Sequence, residues 1–164
     1  MEVGTGSVSV TVLNETAEDI DVVKWADLVE RVLVAEGVAP PAETNVVFVD
    51  VDAMTELNAE HMGGDGPTDV LSFPIDDEPA VAGGEADVRF VGDIVICGSV
   101  AAANAPNHAG EVDDEIALWL VHGSLHLLGH DHAEPADREA MWAAERRLLG
   151  EYWRPMGRDP WQDA

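Results

Sequence analysis

The chain has 164 residues, which is enough for one domain with a substantial core and short for two. Its 46% hydrophobic content is typical of a globular protein. We expect no secretory signal, because the N-terminus lacks a basic segment followed by an apolar one, and no membrane span, because the longest apolar run is only IALWLV. With 33 acidic and 8 basic residues the formal net charge is −25, which repels polyanions at long range and differs from the basic face of most nucleic-acid-binding proteins.

The first half of the chain alternates strands and helices. Apolar and polar residues alternate over 7–14, which predicts a strand, and helical spacing over 19–36 predicts a helix that Gly37 ends. The β-branched run NVVFVDV (45–51) predicts a central strand. Asp52 is then expected to cap a short helix.

That second helix is expected to run to about His61 and to be followed by a Gly- and Asp-rich loop. TDVLSFP (68–74) predicts a short strand, residues 76–87 an acidic loop, and VRFVGDIVIC (88–97) a long strand or a strand pair. The only cysteine, Cys97, lies at the end of this run, so we expect a buried thiol in a reducing cytoplasm.

The second half of the chain is predicted to be helical. Ser99 is expected to cap a helix that Pro106 limits, a second helix covers about 113–128, and a third covers about 137–149. Strands first and helices last predict an α+β fold, with a small mixed four-stranded sheet packed against helices. We expect a single domain over 1–164, with a core of about 7–150 and a tail of undetermined structure over 151–164.

Four of the six histidines lie in HGSLHLLGHDH (122–132). His122 and His126 are four residues apart on the predicted helix and therefore share a face, about 6 Å apart along the axis. Gly129 can end the helix in the left-handed conformation and turn the chain back, so that His132 reaches the same point. Three neutral imidazoles with an open fourth position are typical of catalytic zinc, so we predict one Zn²⁺ ion in this helix and the turn that follows it. Ni²⁺, Co²⁺ and Cu²⁺ suit the same ligands.

The other polar residues around this motif are assigned different roles. His130 is interpreted as a residue of the turn or the pocket wall, with ligation as the alternative. Asp131 either orients a ligand histidine or is a solvated turn carboxylate. His61 and His108 are expected to be exposed and not to ligate metal. No residue stands out as a general base.

The spacing of these histidines also occurs in metzincin proteases, where the residue after the first histidine is the glutamate that takes a proton from the zinc-bound water. Here that residue is Gly123, which cannot accept a proton. The pattern therefore favours metal-assisted hydrolysis of a substrate other than a peptide.

GPTDVLSFP (66–74) and HGSLHLLGHDH together resemble motifs of the bacterial YbeY family of metal-dependent endoribonucleases, and the similarity covers most of residues 7–150. The resemblance implies a zinc ion on His122, His126 and His132, single-stranded RNA as substrate, and a role at the 3′ end of small-subunit rRNA and in ribosome quality control. It implies the ribosome or ribosomal proteins as partners, in the cytoplasm.

Two features of the sequence depart from that family. An aromatic residue is frequent where this chain has His130, and an arginine is frequent a few residues before TDVLSFP, where this chain has Met62. Arg89, or Arg138 and the arginines that follow it, would have to contact RNA instead. Five arginines and three acidic residues lie between Arg138 and Arg158, and this stretch is alternatively a solvated helix.

The segment TDVLSFP supports two interpretations. Thr68, Asp69 and Ser72 either line the site and position substrate or shape the loop and the strand structurally, and the turn chemistry of Asp and Thr favours the second interpretation. We conclude that the chain is predicted to be a zinc-dependent, single-strand-specific endoribonuclease. The alternatives are a metallohydrolase of another substrate class, such as a peptidase, and a non-catalytic zinc-stabilised partner of the ribosome. The strong acidity could also be an adaptation to high salt.

Overall fold

A computed structural model describes residues 7–75, 88–130 and 134–161. Within these ranges four strands precede the three C-terminal helices, and two further helices lie between the strands. The strands are β1 (Val8–Asn14), β2 (Ala42–Phe48), β3 (Val70–Pro74) and β4 (Arg89–Ile96). The helices are α1 (Val22–Ala35), α2 (Val51–Met62), α3 (Gly98–Asn104), α4 (Val112–Leu127) and α5 (Pro135–Tyr152). The predicted α+β class and the predicted order of elements are confirmed.

The four strands form one mixed sheet in the order β1-β2-β4-β3. β1, β2 and β4 are parallel, and β3 pairs antiparallel with β4, so that Val70 lies opposite Ile96. The run 88–97 forms one strand instead of a pair, and the predicted acidic loop 76–87 lies outside the described residues. β3 is therefore an edge strand of the sheet and lies beside α4.

Helices cover both faces of the sheet. The larger core lies between the sheet and the helices α1, α4 and α5, with residues such as Val46, Ile94 and Leu120 fully buried. A smaller cluster on the other face joins Met54 of α2 to Leu71 of β3, and it includes Cys97, which is buried as expected. No helix in the described ranges combines the length and apolar content of a membrane span.

Two predicted helix caps are wrong. α2 begins after Asp50, whose side chain accepts a hydrogen bond from the backbone N–H of Ala53, so the cap lies two residues before Asp52. α3 begins after Cys97 without a side-chain cap, and Ser99 lies inside the helix, where its hydroxyl donates to Glu18. Asp50 and Asp52 are both good caps, and the position at which β2 ends selects between them.

The segment after α5 folds back on the N-terminal end of α4. Asp114, which is 1% exposed, accepts hydrogen bonds from the Trp153 indole (2.9 Å), the Arg154 guanidinium (2.8 Å) and the Gly157 amide (3.3 Å). Burial by itself raises the pKa of Asp114, but these hydrogen bonds and the Arg154 charge outweigh it and hold the pKa below its usual value. The tail is thus attached to the core through a buried, ionised carboxylate.

Candidate metal centre and adjoining cavity

The predicted histidine pair lies on α4, which has more buried residues than any other helix in the described ranges. Residues on all sides of α4 are buried, including Ala117, Leu120 and Leu125, which is the pattern of a helix inside a core. His122 and His126 are partly exposed, and their ring centroids are 4.6 Å apart with an interplanar angle of 83°. The predicted shared face of the helix is therefore present.

The turn after α4 orients His126. Gly129 has a φ of 99°, and its N–H donates to the carbonyl of His126 while the N–H of His130 donates to the carbonyl of Leu125, both at 3.0 Å. This is a Schellman motif, as the glycine at this position predicts. It brings the carbonyl of His130 to 2.9 Å from Nδ1 of His126. Because a carbonyl only accepts, Nδ1 carries the proton and the Nε2 lone pair of neutral His126 is the one that can bind a metal.

His122 is oriented by a carboxylate on the neighbouring helix. Its Nδ1 lies 2.7 Å from Oε2 of Glu145 on α5, and the Glu145 side chain is only 3% exposed. A ligand histidine that donates its second N–H to a carboxylate is a recurring arrangement in zinc sites, because the carboxylate sets the tautomer and the ring orientation. Both described histidines thus have the donor chemistry that zinc requires.

The third predicted ligand, His132, and its neighbour Asp131 lie outside the described residues. Within the described part of the chain no group of three metal-ligating side chains comes together, so the site consists there of the two α4 histidines. The side chain of His130 points away from the pair: it lines a separate cavity with Asp137, and its Nε2 lies 3.9 Å from Glu36. His130 contributes to the histidine pair through its backbone carbonyl.

A cavity of about 350 Å³ opens beside the histidine pair. This volume is at the low end of the range for small-molecule sites. Its described lining joins α4 to the TDVLSFP segment and to the end of α2: Met62, Thr68, Asp69, Val70, Leu71, Ser72, Pro74, Trp119, His122 and His126. The fold therefore places the two motifs, about 50 residues apart in sequence, around one cavity.

The polar residues of TDVLSFP line the cavity and also make structural contacts. Ser72 donates from Oγ to the carbonyl of Gly123 at 3.2 Å, and the Asp69 carboxylate accepts from Nδ2 of Asn104 at 3.1 Å. Thr68 is partly buried at the start of the same wall. Asp69 and Ser72 thus line the cavity and also make structural hydrogen bonds.

Trp119 also lines the cavity, and two neighbouring side chains contact its ring. Its indole N–H donates to Glu115 at 2.9 Å, and its ring stacks on His108 with centroids 5.8 Å apart and an interplanar angle of 11°. His108 itself lies 2.8 Å from the buried Glu115 carboxylate, so the expectation that His108 is exposed is wrong: it is half-buried. His61 is exposed, as expected. The rings of Trp119 and His122 form a T-shaped pair, with centroids 5.0 Å apart.

Among the described lining residues of this cavity there is no lysine or arginine. Arg89 is exposed at the start of β4, and Arg138 lies on α5 with its guanidinium over the ring of Trp142 at 5.1 Å. Met62 is 56% exposed at the cavity wall. Met62, which stands where the family frequently has an arginine, therefore lines the cavity as an apolar residue.

Two residues of the site were not identified from the sequence. Glu145 is 23 positions from His122 along the chain, and Trp119 resembles any other apolar residue of a buried helix. One signal was available for Glu145, since an acidic residue among Met141, Leu148 and Leu149 occupies the apolar face of α5 and therefore requires a buried partner.

Comparison with known proteins identifies related chains. Residues 11–153 match the family described as Endoribonuclease YbeY. A protein named endoribonuclease YbeY from Salinispora tropica is 44% identical over 154 residues, which cover 89% of this chain and 96% of that protein. One of the same name from Thermobifida fusca is 40% identical and covers 90% and 96%. The solution structure of TM1509 from Thermotoga maritima superimposes with a TM-score of 0.61 at 28% identity, covering 88% of this chain and 89% of that one.

Proposed function

Because this chain belongs to the YbeY endoribonuclease family, we propose that it is a zinc-dependent endoribonuclease that cleaves single-stranded RNA and acts in the cytoplasm on the 3′ end of small-subunit rRNA and in ribosome quality control. The observation that carries the proposal is the histidine pair of α4, with each Nδ1 held by an oxygen acceptor, beside a cavity lined by the TDVLSFP segment. The ribosome or its proteins would be the partner.

The metal would be held by His122 and His126, with His132 as the third ligand. When bound, zinc supplies a water of lowered pKa and polarises a phosphoryl oxygen. Glu145 and the carbonyl of His130 orient the two rings, and orientation of ligands by such groups is worth about 10- to 100-fold in metal affinity. These two contacts pre-organise the rings of His122 and His126 for metal binding.

RNA recognition in this cavity would depend on stacking and hydrogen bonds more than on positive charge. Trp119 lines the cavity and is held by His108 and Glu115, so its indole is a pre-organised surface on which an unpaired base can stack. Thr68 lines the same cavity, and its hydroxyl can donate to a phosphate oxygen. A base must be unpaired to stack in this way, which supports single-stranded RNA as the substrate class.

The test compares the zinc-loaded protein, an EDTA-treated sample and the variant His126→Ala on single-stranded RNA, double-stranded RNA and casein. We expect cleavage of single-stranded RNA only, lost on chelation, restored by zinc and absent in His126→Ala. His61→Ala is the matched control, because His61 is exposed and does not line this cavity. Cleavage of casein but not of RNA would establish a peptidase. Inactivity on all three substrates, together with unfolding on chelation, would establish a structural zinc protein.

A further inference from the structure

The buried carboxylate of Glu145 joins the histidine pair to the C-terminal tail. Its Oε2 lies 2.7 Å from Nδ1 of His122, and its Oε1 accepts a hydrogen bond of 2.8 Å from the indole N–H of Trp161. Each oxygen of a side chain that is only 3% exposed therefore has its own donor. Two donors on opposite oxygens prevent the carboxylate from rotating, so the direction of the bond to His122 depends on both contacts.

Trp161 is itself held in place by contacts with α5 and with the tail. The guanidinium of Arg146 lies over its ring at 5.1 Å, and its backbone N–H donates to Asp159 at 2.9 Å. The N–H of Arg158 donates to the carbonyl of Ala109 at 2.8 Å, which attaches this part of the tail to the segment before α4. The indole N–H is thus delivered to Glu145 from an anchored segment.

We propose that Trp161 is a positioning residue of the metal site, acting through Glu145 on His122. The proposal rests on the proposed function in one respect, that His122 binds the metal. The family match ends at residue 153, so Trp161 lies beyond the region that defines the family. Trp161, although it lies in the segment after α5, is accordingly part of the site.

Removal of the indole N–H has a definite consequence. Oε1 of Glu145 would lose its donor while still buried, and a buried carboxylate oxygen without a donor is strongly unfavourable. The carboxylate would turn to recover a partner and would change the orientation of the His122 ring. The metal would then bind a less well-ordered ligand, so affinity falls although all three histidines remain.

The experiment measures Zn²⁺ affinity by competition with a chromophoric chelator and the visible spectrum of the Co²⁺-substituted protein. We expect Trp161→Phe, which retains an aromatic ring over Arg146 but has no N–H, to weaken Zn²⁺ binding about 3- to 10-fold, the equivalent of one hydrogen bond. We expect Glu145→Gln to weaken it about 10- to 100-fold, because glutamine offers one acceptor oxygen for two donors. Both variants should alter the Co²⁺ spectrum.

A double-mutant cycle tests whether Trp161 acts through Glu145. In the Glu145→Gln background, Trp161→Phe should have almost no further effect on Zn²⁺ affinity, whereas additive effects would overturn the proposed coupling. Trp161→His, which restores a ring N–H with less apolar area, should bind Zn²⁺ more tightly than Trp161→Phe. The reverse order would mean that Trp161 acts by packing alone.

Trp153→Phe is the matched control, because the Trp153 indole also donates to a buried carboxylate, Asp114, which does not contact the histidine pair. It should lower the melting temperature and leave Zn²⁺ affinity unchanged. Equal Zn²⁺ affinity in wild type and Trp161→Phe would overturn the positioning role of Trp161 and leave the proposed function intact. A folded wild type that binds no Zn²⁺ overturns the metal part of the proposed function and this inference together.

Discussion

Ser72 on the edge strand β3 donates a hydrogen bond from Oγ to the backbone carbonyl of Gly123 on α4, at 3.2 Å. The helix and the strand approach so closely here that a Cβ atom at position 123 would lie 3.0 Å from Ser72 Oγ and 3.1 Å from Cγ2 of Ile94. Gly123 therefore faces the sheet and permits the close packing of α4 on β3. A Cβ atom at this position is already in tight contact, so a glutamate there would require Ser72 and Ile94 to shift.

Gly123→Glu is therefore expected to disrupt the fold and not to create a peptidase. The substitution overpacks the α4–β3 contact and buries a charge, which should lower the free energy of unfolding by about 3 kcal/mol or more. Urea unfolding and a casein assay check both parts. Gly150→Glu on α5 is the control, because no atom lies within 4 Å of a Cβ there, and it should have little effect. A stable Gly123→Glu variant that cleaves casein would contradict this interpretation.

Trp119→Leu is expected to weaken RNA binding more than it weakens metal binding. Loss of one base-stacking surface should raise KM for single-stranded RNA about 10-fold, while Zn²⁺ affinity changes little because the contacts of Glu145 and His130 to the histidines remain. The comparison variant is Trp142→Leu, a tryptophan on α5 that does not line the cavity. An unchanged KM in Trp119→Leu would show that bases do not stack there.

Met62→Arg is expected to strengthen RNA binding. It places one cation at the cavity wall of a protein with a net charge of −25, and we expect the affinity for single-stranded RNA at low salt to rise about threefold or more. The gain should shrink as KCl increases, with a slope of log affinity against log salt steeper by about 0.7 for one added phosphate contact. Val34→Arg, a change at a residue of α1 that is 55% exposed, alters the net charge equally and controls for long-range effects. Equal gains in both variants would contradict a local contact.

Asp114→Asn is expected to destabilise the protein in a pH-dependent way. The folded-state pKa of Asp114 is lowered, so its ionised form contributes stability at pH values above the ordinary aspartate pKa, and this contribution is lost as the pH falls through the lowered folded-state pKa. At pH 7 we expect a loss of about 1–3 kcal/mol in the free energy of unfolding, because the Trp153 indole and the Arg154 guanidinium lose an ionised acceptor at a buried position. The difference from wild type should decrease below about pH 4.

Urea unfolding at pH 7 and at low pH measures both effects. Asp113→Asn is the control, because Asp113 pairs with Lys24 with its side chain 47% exposed, and such a surface pair contributes at most about 1 kcal/mol. A constant difference between Asp114→Asn and wild type at all pH values would contradict the assignment of an ionised Asp114.

The accuracy of the sequence prediction depended on the range of the interactions involved. The strand and helix order was correct because the apolar period over about ten residues reports which face of an element is buried. Helix starts were less accurate, since Asp50 and Asp52 are both good caps and only the end of β2 selects between them. His108 was predicted to be exposed because nothing in its local sequence indicates the Glu115 carboxylate or the Trp119 ring against which it packs.

The sequence by itself determined the histidine pair and the turn that follows it. A four-residue spacing on a helix and a glycine at its C-terminal end are local, and the period of 3.6 residues per turn translates them directly into geometry. Only the tertiary structure decided which groups orient those histidines: Glu145 reaches His122 from another helix, and Trp161 reaches Glu145 from the tail. Hydrogen bonds between distant segments leave no periodic signal in the sequence, because they depend on how the helices pack and not on the residues between them.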